Sequence, residues 1–319
     1  MPSSPQNLHE LLAGIELDEF FSKVWGKTPR VLPGAPGRLS GLCSTEVLPT
    51  LIARDAPRLT NVVAVRDGVP DESVWEELTT RLRRAEPIEP AALSALCGEA
   101  TLIVNQVHHH HPPIADFARM VFSALGERVG VNAYLSPAGA GLGLGYHYDC
   151  WEVFVLQIEG DKRWQLYETP APFPVERMEL RQARVPTDEP ALEVVLTPGD
   201  ILYMPRGTWH RPQPTGSLSL HLTVGVHCKR PLDLTAWIEH VLRHEVELRR
   251  DLALSREGHA QEALQVAALQ RAMGKVSELL AQPEAAHRFL RYCFEREMSA
   301  MWPSTTLRAA DPLAAPESD

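Results

Sequence analysis

A chain of 319 residues, 44% hydrophobic and 23% charged, can bury one large domain plus a smaller appendage, and its composition excludes wholesale disorder. A formal net charge of −10 argues against nucleic-acid binding, which needs a basic face for phosphates. The five cysteines are scattered without a C-x-x-C pair, the N-terminus lacks a basic segment before an apolar run, and no apolar stretch approaches a span of about 20 residues. These features point to a soluble cytoplasmic protein with reduced thiols, no signal peptide, no membrane and no nucleic-acid partner.

Along the chain, the first 55 residues read as helical and then looped. Leu8, Leu11, Leu12 and Ile15 recur at helical spacing, PRVLPGAPGRLSG is a Pro/Gly-rich break, and a short helix starts near Ser44. NVVAVRDG suits a strand and turn, residues 72–97 two short helices split by Pro87 and Pro90, TLIVNQV a strand, and 113–127 a helix. From 129 to 228 the period changes to short strands separated by Gly, Pro and Asp turns, with EGDK (159–162) a tight hairpin connection. Helical patterning returns at 233–250, 260–282 and 284–300.

The densest chemistry lies in GLGLGYHYDC (141–150). His147 and Asp149 are two apart, so on a strand both face one side and can reach one metal. GDILYMPRGTWH (199–210) offers the third ligand. Gly199-Asp200 turns the chain, ILYM runs as a strand, and Pro205 with Gly207 turns it again to place His210 at the next strand's start. Gly, five residues, Pro, one residue, Gly, two residues, His is the spacing of the second cupin motif, and Gly141 with His147 begins the first. Many metal cupins carry His-x-His and a later Glu, a set suited to Mn or Zn. Here Asp149 replaces the second His, and two His with one carboxylate form the facial triad of non-haem iron. The bland alternative is a core histidine beside a turn-capping aspartate.

VFVLQIEGDKRWQLY (153–167) turns at Gly160, and Lys162 begins the returning strand fifteen residues after His147. With H-x-D and the late P-x-G-x-x-H, this segment resembles the JmjC oxygenases, most closely the cupin-4 subgroup of ribosomal-protein arginine and histidine hydroxylases. FFSKVWGKTPRVLPG, VNAYLSPAG and HLTVGV resemble further segments of that family, so the likeness covers roughly residues 5 to 255. The resemblance implies Fe(II) held by His147, Asp149 and His210, with 2-oxoglutarate and O2 as co-substrates. It implies that Lys162 binds the distal carboxylate of 2-oxoglutarate, with Arg163 as fallback, and that Asn132, Tyr134 and Thr223 lie near the co-substrate. It further implies hydroxylation of a side chain in a protein or peptide, either a ribosomal protein or a natural-product precursor. The alternative is a metal-binding cupin, an Mn or Zn isomerase or sensor, without oxygenase activity.

Other candidates weigh less. Adjacent side chains alternate in direction, so HHHH (108–111) cannot converge on one ion and reads as a loop near the barrel mouth. His221 lacks the Pro-x-Gly turn that would aim it. Trp151, Trp164 and Trp209 read as packing, with the substrate entrance as the alternative for Trp209, and Glu159 and Asp161 as solvated turn residues. The expected fold is α+β with a mainly β core, a double-stranded β-helix or jelly roll. Its expected parts are an N-terminal helical and mixed segment (1–100), the JmjC/cupin catalytic core (101–228) and a C-terminal helical region (229–319) that makes a homodimer without a full winged helix.

Overall fold

The computed structural model describes residues 4–301 apart from 56–60, 67, 85, 87, 99, 139–143, 170–171, 177–185, 187–188, 253 and 255–257. The chain divides into two compact units, Met1–Cys228 and Lys229–Asp319.

In the first unit the described strands are β1 (Arg30–Leu32), β2 (Val62–Arg66), β3 (Val69–Pro70), β4 (Thr101–Val104), β5 (Arg128–Ser136), β6 (Glu152–Glu159), β7 (Lys162–Tyr167), β8 (Leu192–Leu196), β9 (Ile201–Met204), β10 (Trp209–Pro214) and β11 (Ser219–His227). They form an eight-stranded antiparallel sheet in the order β1-β9-β6-β11-β5-β4-β2-β3 and a smaller sheet β10-β7-β8. Val153, Val155, Leu202 and Met204 of the large sheet interdigitate with Trp164, Leu166 and Leu196 of the small one. Two sheets face to face with one apolar filling make the jelly roll. Helices α1 (Leu8–Leu11), α2 (Leu17–Lys23), α3 (Leu48–Asp55), α4 (Glu72–Arg83), α5 (Pro90–Cys97) and α6 (Pro112–Leu125) accompany this core.

β6 explains why the pattern there is not a clean alternation. Its odd positions Val153 and Val155 fill the core between the sheets. Phe154 points the other way and packs on Phe20, Trp25 and Tyr203, with centroids 6.2, 6.3 and 5.1 Å away. A strand covered on both faces reads as a continuous apolar run. The N-terminal FFSKVWG segment therefore covers the outer face of the large sheet.

Three expectations change. The Pro/Gly-rich break contains β1, three residues between prolines, paired with β9 at the sheet edge. Strands this short carry no periodic signal. Glu159 is not a solvated turn residue, since its carboxylate accepts from Thr45 N–H (3.0 Å) and Oγ1 (2.9 Å) of the N-terminal loop folded over the hairpin. The helix expected over 233–250 ends early.

In the second unit that helix is α7 (Leu234–Leu242), followed by a 3-10 turn Val246–Arg249 after extended backbone at Glu245. Trp237 and Val241 pack with Leu279, Ala285, Phe289 and Cys293, whereas Val246 stays 59% exposed and beyond that support. The packing partners come from α8 (Gly258–Leu280) and α9 (Ala285–Met301). Lys229 pairs with the buried Glu297 at 3.0 Å. Among the described residues no helix is long and apolar enough to cross a membrane.

Candidate metal centre

Segment 144–151 runs beside the start of β10, and His147 pairs antiparallel with His210. Their N–H groups bond to each other's carbonyls at 3.1 and 2.8 Å, which sets the two imidazoles side by side with ring centroids 4.1 Å apart. Asp149, two positions on, returns to the same face, and its Oδ2 lies 3.8 Å from His210 Nε2. One ligand atom from each of His147, Asp149 and His210 lies within 4.8 Å of the others, the metal-capable group found among the described residues.

The turn before β10 is built to aim His210. Gly207 has φ +86, and a Cβ there would sit 2.8 Å from Pro174 Cδ and from Thr169 Cγ2, so the position requires glycine. Its N–H donates to the Asp149 carbonyl at 2.8 Å, tying the third ligand to the same turn.

Both histidines are oriented by backbone acceptors. Nδ1 of His147 lies 3.2 Å from the Gly145 carbonyl, and Nδ1 of His210 lies 3.0 Å from the Thr208 carbonyl. A carbonyl only accepts, so each Nδ1 carries a proton, the tautomer in which a neutral ring offers Nε2 to a metal. Burial pushes the His210 imidazole well below its ordinary value, with His147 adding to the effect. Burial raises the Asp149 carboxyl, against the pull of His147. Among the described residues no Lys or Arg pairs with Asp149. A half-buried carboxylate facing two imidazoles, with no cationic side chain beside it among the described residues, fits a divalent cation.

Deeper in the barrel Lys162 is 1% exposed. Its Nζ donates to Ser136 Oγ at 2.7 Å, and Ser136 Oγ lies 3.0 Å from Thr101 Oγ1. No described carboxylate is within ion-pair reach, and burial lowers the ammonium to about 7. Trp164 Nε1, His221 Nδ1 and Gln157 Oε1 are also buried without a partner. Lys162 lies close enough to His221 to depress that imidazole after burial itself. A buried ammonium whose partner among the described residues is one hydroxyl is arranged for an anion.

Between these two places lie the other sequence candidates. Thr223 pairs with Asn132, and His221 with Tyr134, across β11 and β5. The Tyr134 hydroxyl bonds to the Asn132 and Thr223 side chains, and burial together with the Asp149 carboxylate raises it to about 12. Its ring stacks on His221 at 4.8 Å and 8°. His221 thus packs between Tyr134 and Trp164 near Lys162 and is not part of the metal group. Trp209 turns away from the interior and packs on Tyr148 at 5.3 Å. In the His run, residues Val107–His109 form a 3-10 turn, and buried His108 accepts from Val131 N–H through Nδ1 at 3.3 Å. Ser136 and Thr101 are the site residues the sequence reading missed. No motif marks them, because their place beside Lys162 comes from strands far away in the chain.

The family model described as JmjC domain matches residues 105–234. This stretch of the chain is similar to that family. Ribosomal oxygenase 2 of Rattus norvegicus is 44% identical over 104 residues, 32% of this chain and 22% of the relative. The bifunctional lysine-specific demethylase and histidyl-hydroxylase NO66 of Drosophila grimshawi is 29% identical over 278 residues, 79% of this chain and 35% of the relative. The chain thus spans about a fifth to a third of the length of these relatives. The structure of YcfD, a ribosomal oxygenase from Escherichia coli, in complex with cobalt and 2-oxoglutarate, superposes with a TM-score of 0.58. It shares 22% identity and covers 88% of this chain and 71% of YcfD, a likeness of fold.

Proposed function

We propose that this chain is an Fe(II)- and 2-oxoglutarate-dependent oxygenase that hydroxylates a side chain of a protein or peptide. The observation that carries the reading is the pairing of the His147, Asp149 and His210 group with a buried Lys162 that meets no described carboxylate in the same barrel. The relatives' names, which speak of ribosomal and histidyl substrates, support a protein substrate. A metal cupin without an oxo-acid co-substrate would leave Lys162 buried for no purpose.

Each residue has a physical task. His147, Asp149 and His210 would hold the iron, with two neutral nitrogens and one carboxylate leaving positions open. Lys162 would hold the distal carboxylate of 2-oxoglutarate, helped by Ser136. Tyr134, fixed by Asn132, Thr223 and the stack on His221, would wall the co-substrate cavity and exclude water from it. When bound, Fe(II) with 2-oxoglutarate and O2 supplies the oxidising power to replace C–H by C–OH, with succinate and CO2 as by-products. The protein's share is orientation: it holds one substrate carbon near the open face and keeps others away.

The substrate is a ribosomal protein or a precursor peptide. Incubating the loaded enzyme with ribosomal proteins and with a peptide library separates the two, since hydroxylation adds the mass of one oxygen, about 16 Da. An added oxygen on a ribosomal protein supports the first, and on peptides alone the second. No added oxygen on any protein or peptide, with turnover of a free small molecule instead, counts against a protein-directed enzyme.

A homodimer through the C-terminal helices belongs to the same proposal. On α8, Val266, Leu269, Met273, Val276 and Leu280 follow one another at spacings of three and four. Val266, Leu269, Met273 and Leu280 are 46%, 48%, 68% and 45% exposed. A stripe at heptad spacing left in water suits a second copy of itself.

A further inference from the structure

The segment that carries two of the three ligands meets β10 over a short stretch of backbone. In the small sheet β10 pairs with β7 over six residues and β7 with β8 over five. Among the described residues, segment 144–151 joins β10 through the pair His147–His210, and Gly207 of the preceding turn bonds to the Asp149 carbonyl. A connection this short frays readily, yet it sets the distance between the ligands.

Side chains on the opposite face supply the rest. The residues flanking the His147–His210 pair are Tyr146 opposite Arg211 and Tyr148 opposite Trp209. The Arg211 guanidinium lies over the Tyr146 ring at 4.9 Å and donates through Nη1 to the Tyr146 hydroxyl at 3.3 Å. Tyr148 meets Trp209 edge to face at 5.3 Å. Tyr167 of β7 backs the first pair, with its ring 5.5 Å and its hydroxyl 3.5 Å from those of Tyr146. Arg211 makes no ion pair among the described residues, so its charge is directed to the ring.

We infer that Tyr146 with Arg211 and Tyr148 with Trp209 form a clasp that positions the metal ligands from behind the sheet. They are positioning residues, acting through His147, Asp149 and His210. The inference rests on the reading that those three hold a divalent ion. Adjacent cross-strand pairs, not hydrogen bonds of a ladder, keep the ligand segment in register with β10.

Two readouts test this on the full chain, using Arg211→Ala and Tyr148→Ala with Arg211→Lys and Tyr148→Phe as conservative partners. The first is amide hydrogen exchange of residues 144–151 without metal, with β5 and β11 as internal reference. The second is Co(II) titration followed by the cobalt absorption spectrum. The alanine variants should exchange faster at 144–151 and unchanged in β5 and β11. Their Co(II) affinity should fall about tenfold or more with shifted cobalt bands, and the conservative variants should restore both. Wild-type exchange and an unaltered cobalt spectrum in the alanine variants overturn the clasp, as does equal loss in the conservative variants. If an alanine variant does not fold, Tyr146→Leu keeps bulk, removes the ring face, and is judged by the same two results. Failure of the wild type to bind Co(II), with exchange still faster in the variants, sinks the metal reading and leaves the clasp standing.

Discussion

Lys162 is the residue whose burial most needs an explanation. The ammonium is held near 7, below its unfolded value, so the unfolded chain binds an extra proton between about pH 7 and the ordinary lysine range. Stability of the ligand-free protein from this group is therefore lowest below pH 7 and rises as pH climbs through that window. Lys162→Met should raise the melting temperature of the ligand-free protein at pH 7 by a few degrees, with the difference shrinking toward pH 10. Added 2-oxoglutarate should stabilise the metal-loaded wild type and not the variant; thermal unfolding at two pH values measures both, and a destabilised Lys162→Met at pH 7 refutes the anion site. The triad itself was legible, because two ligands at strand spacing and a Gly/Pro-spaced third are local patterns. The surroundings of Lys162 were not, since Ser136 and Thr101 carry no signature and reach it only through sheet pairing.

The hairpin β6–β7 is the element that delivers Lys162, and its turn is exacting. Gly160 has φ +60, and a Cβ there would sit 1.8 Å from the Leu218 carbonyl oxygen. Gly160→Ala should cost more than about 1 kcal/mol in chemical denaturation and weaken 2-oxoglutarate binding as well. Wild-type stability would mean the close approach to Leu218 is not real. The turn could be read from EGDK, though the close approach could not, because Leu218 comes from the start of another strand. The Phe20 contact with Phe154 and Tyr203 shows the same limit. Aromatic residues in the N-terminal segment were visible, while the sheet face they cover was decided by packing. Phe20→Ala should cost about 3–5 kcal/mol, and a cost under 1 kcal/mol would deny that this segment is part of the core.

At the scale of the whole molecule, the alternation of short strands and turns from 129 to 228 announced a barrel, and the structure forms the jelly roll. Strands β1, β2 and β3, from the first hundred residues, complete the large sheet. The edge strands β1 and β3, of three and two residues, are set by the neighbour they pair with, so their own sequence marks them weakly. In the helical unit the α8 stripe predicts self-association. Leu269→Asp with Met273→Asp should convert a dimer to a monomer in sedimentation velocity while leaving metal binding unchanged. A wild type that is monomeric at all concentrations would remove the dimer.

The decisive measurement is succinate release from 2-oxoglutarate by the protein loaded anaerobically with Fe(II) and then exposed to O2, comparing wild type with His147→Ala and Lys162→Ala. The expected result is 2-oxoglutarate-dependent succinate in the wild type, none from His147→Ala, and a raised KM for 2-oxoglutarate in Lys162→Ala. The contradicting result is a metal-loaded wild type that neither binds 2-oxoglutarate nor forms succinate, while holding Zn or Mn tightly at the same three residues.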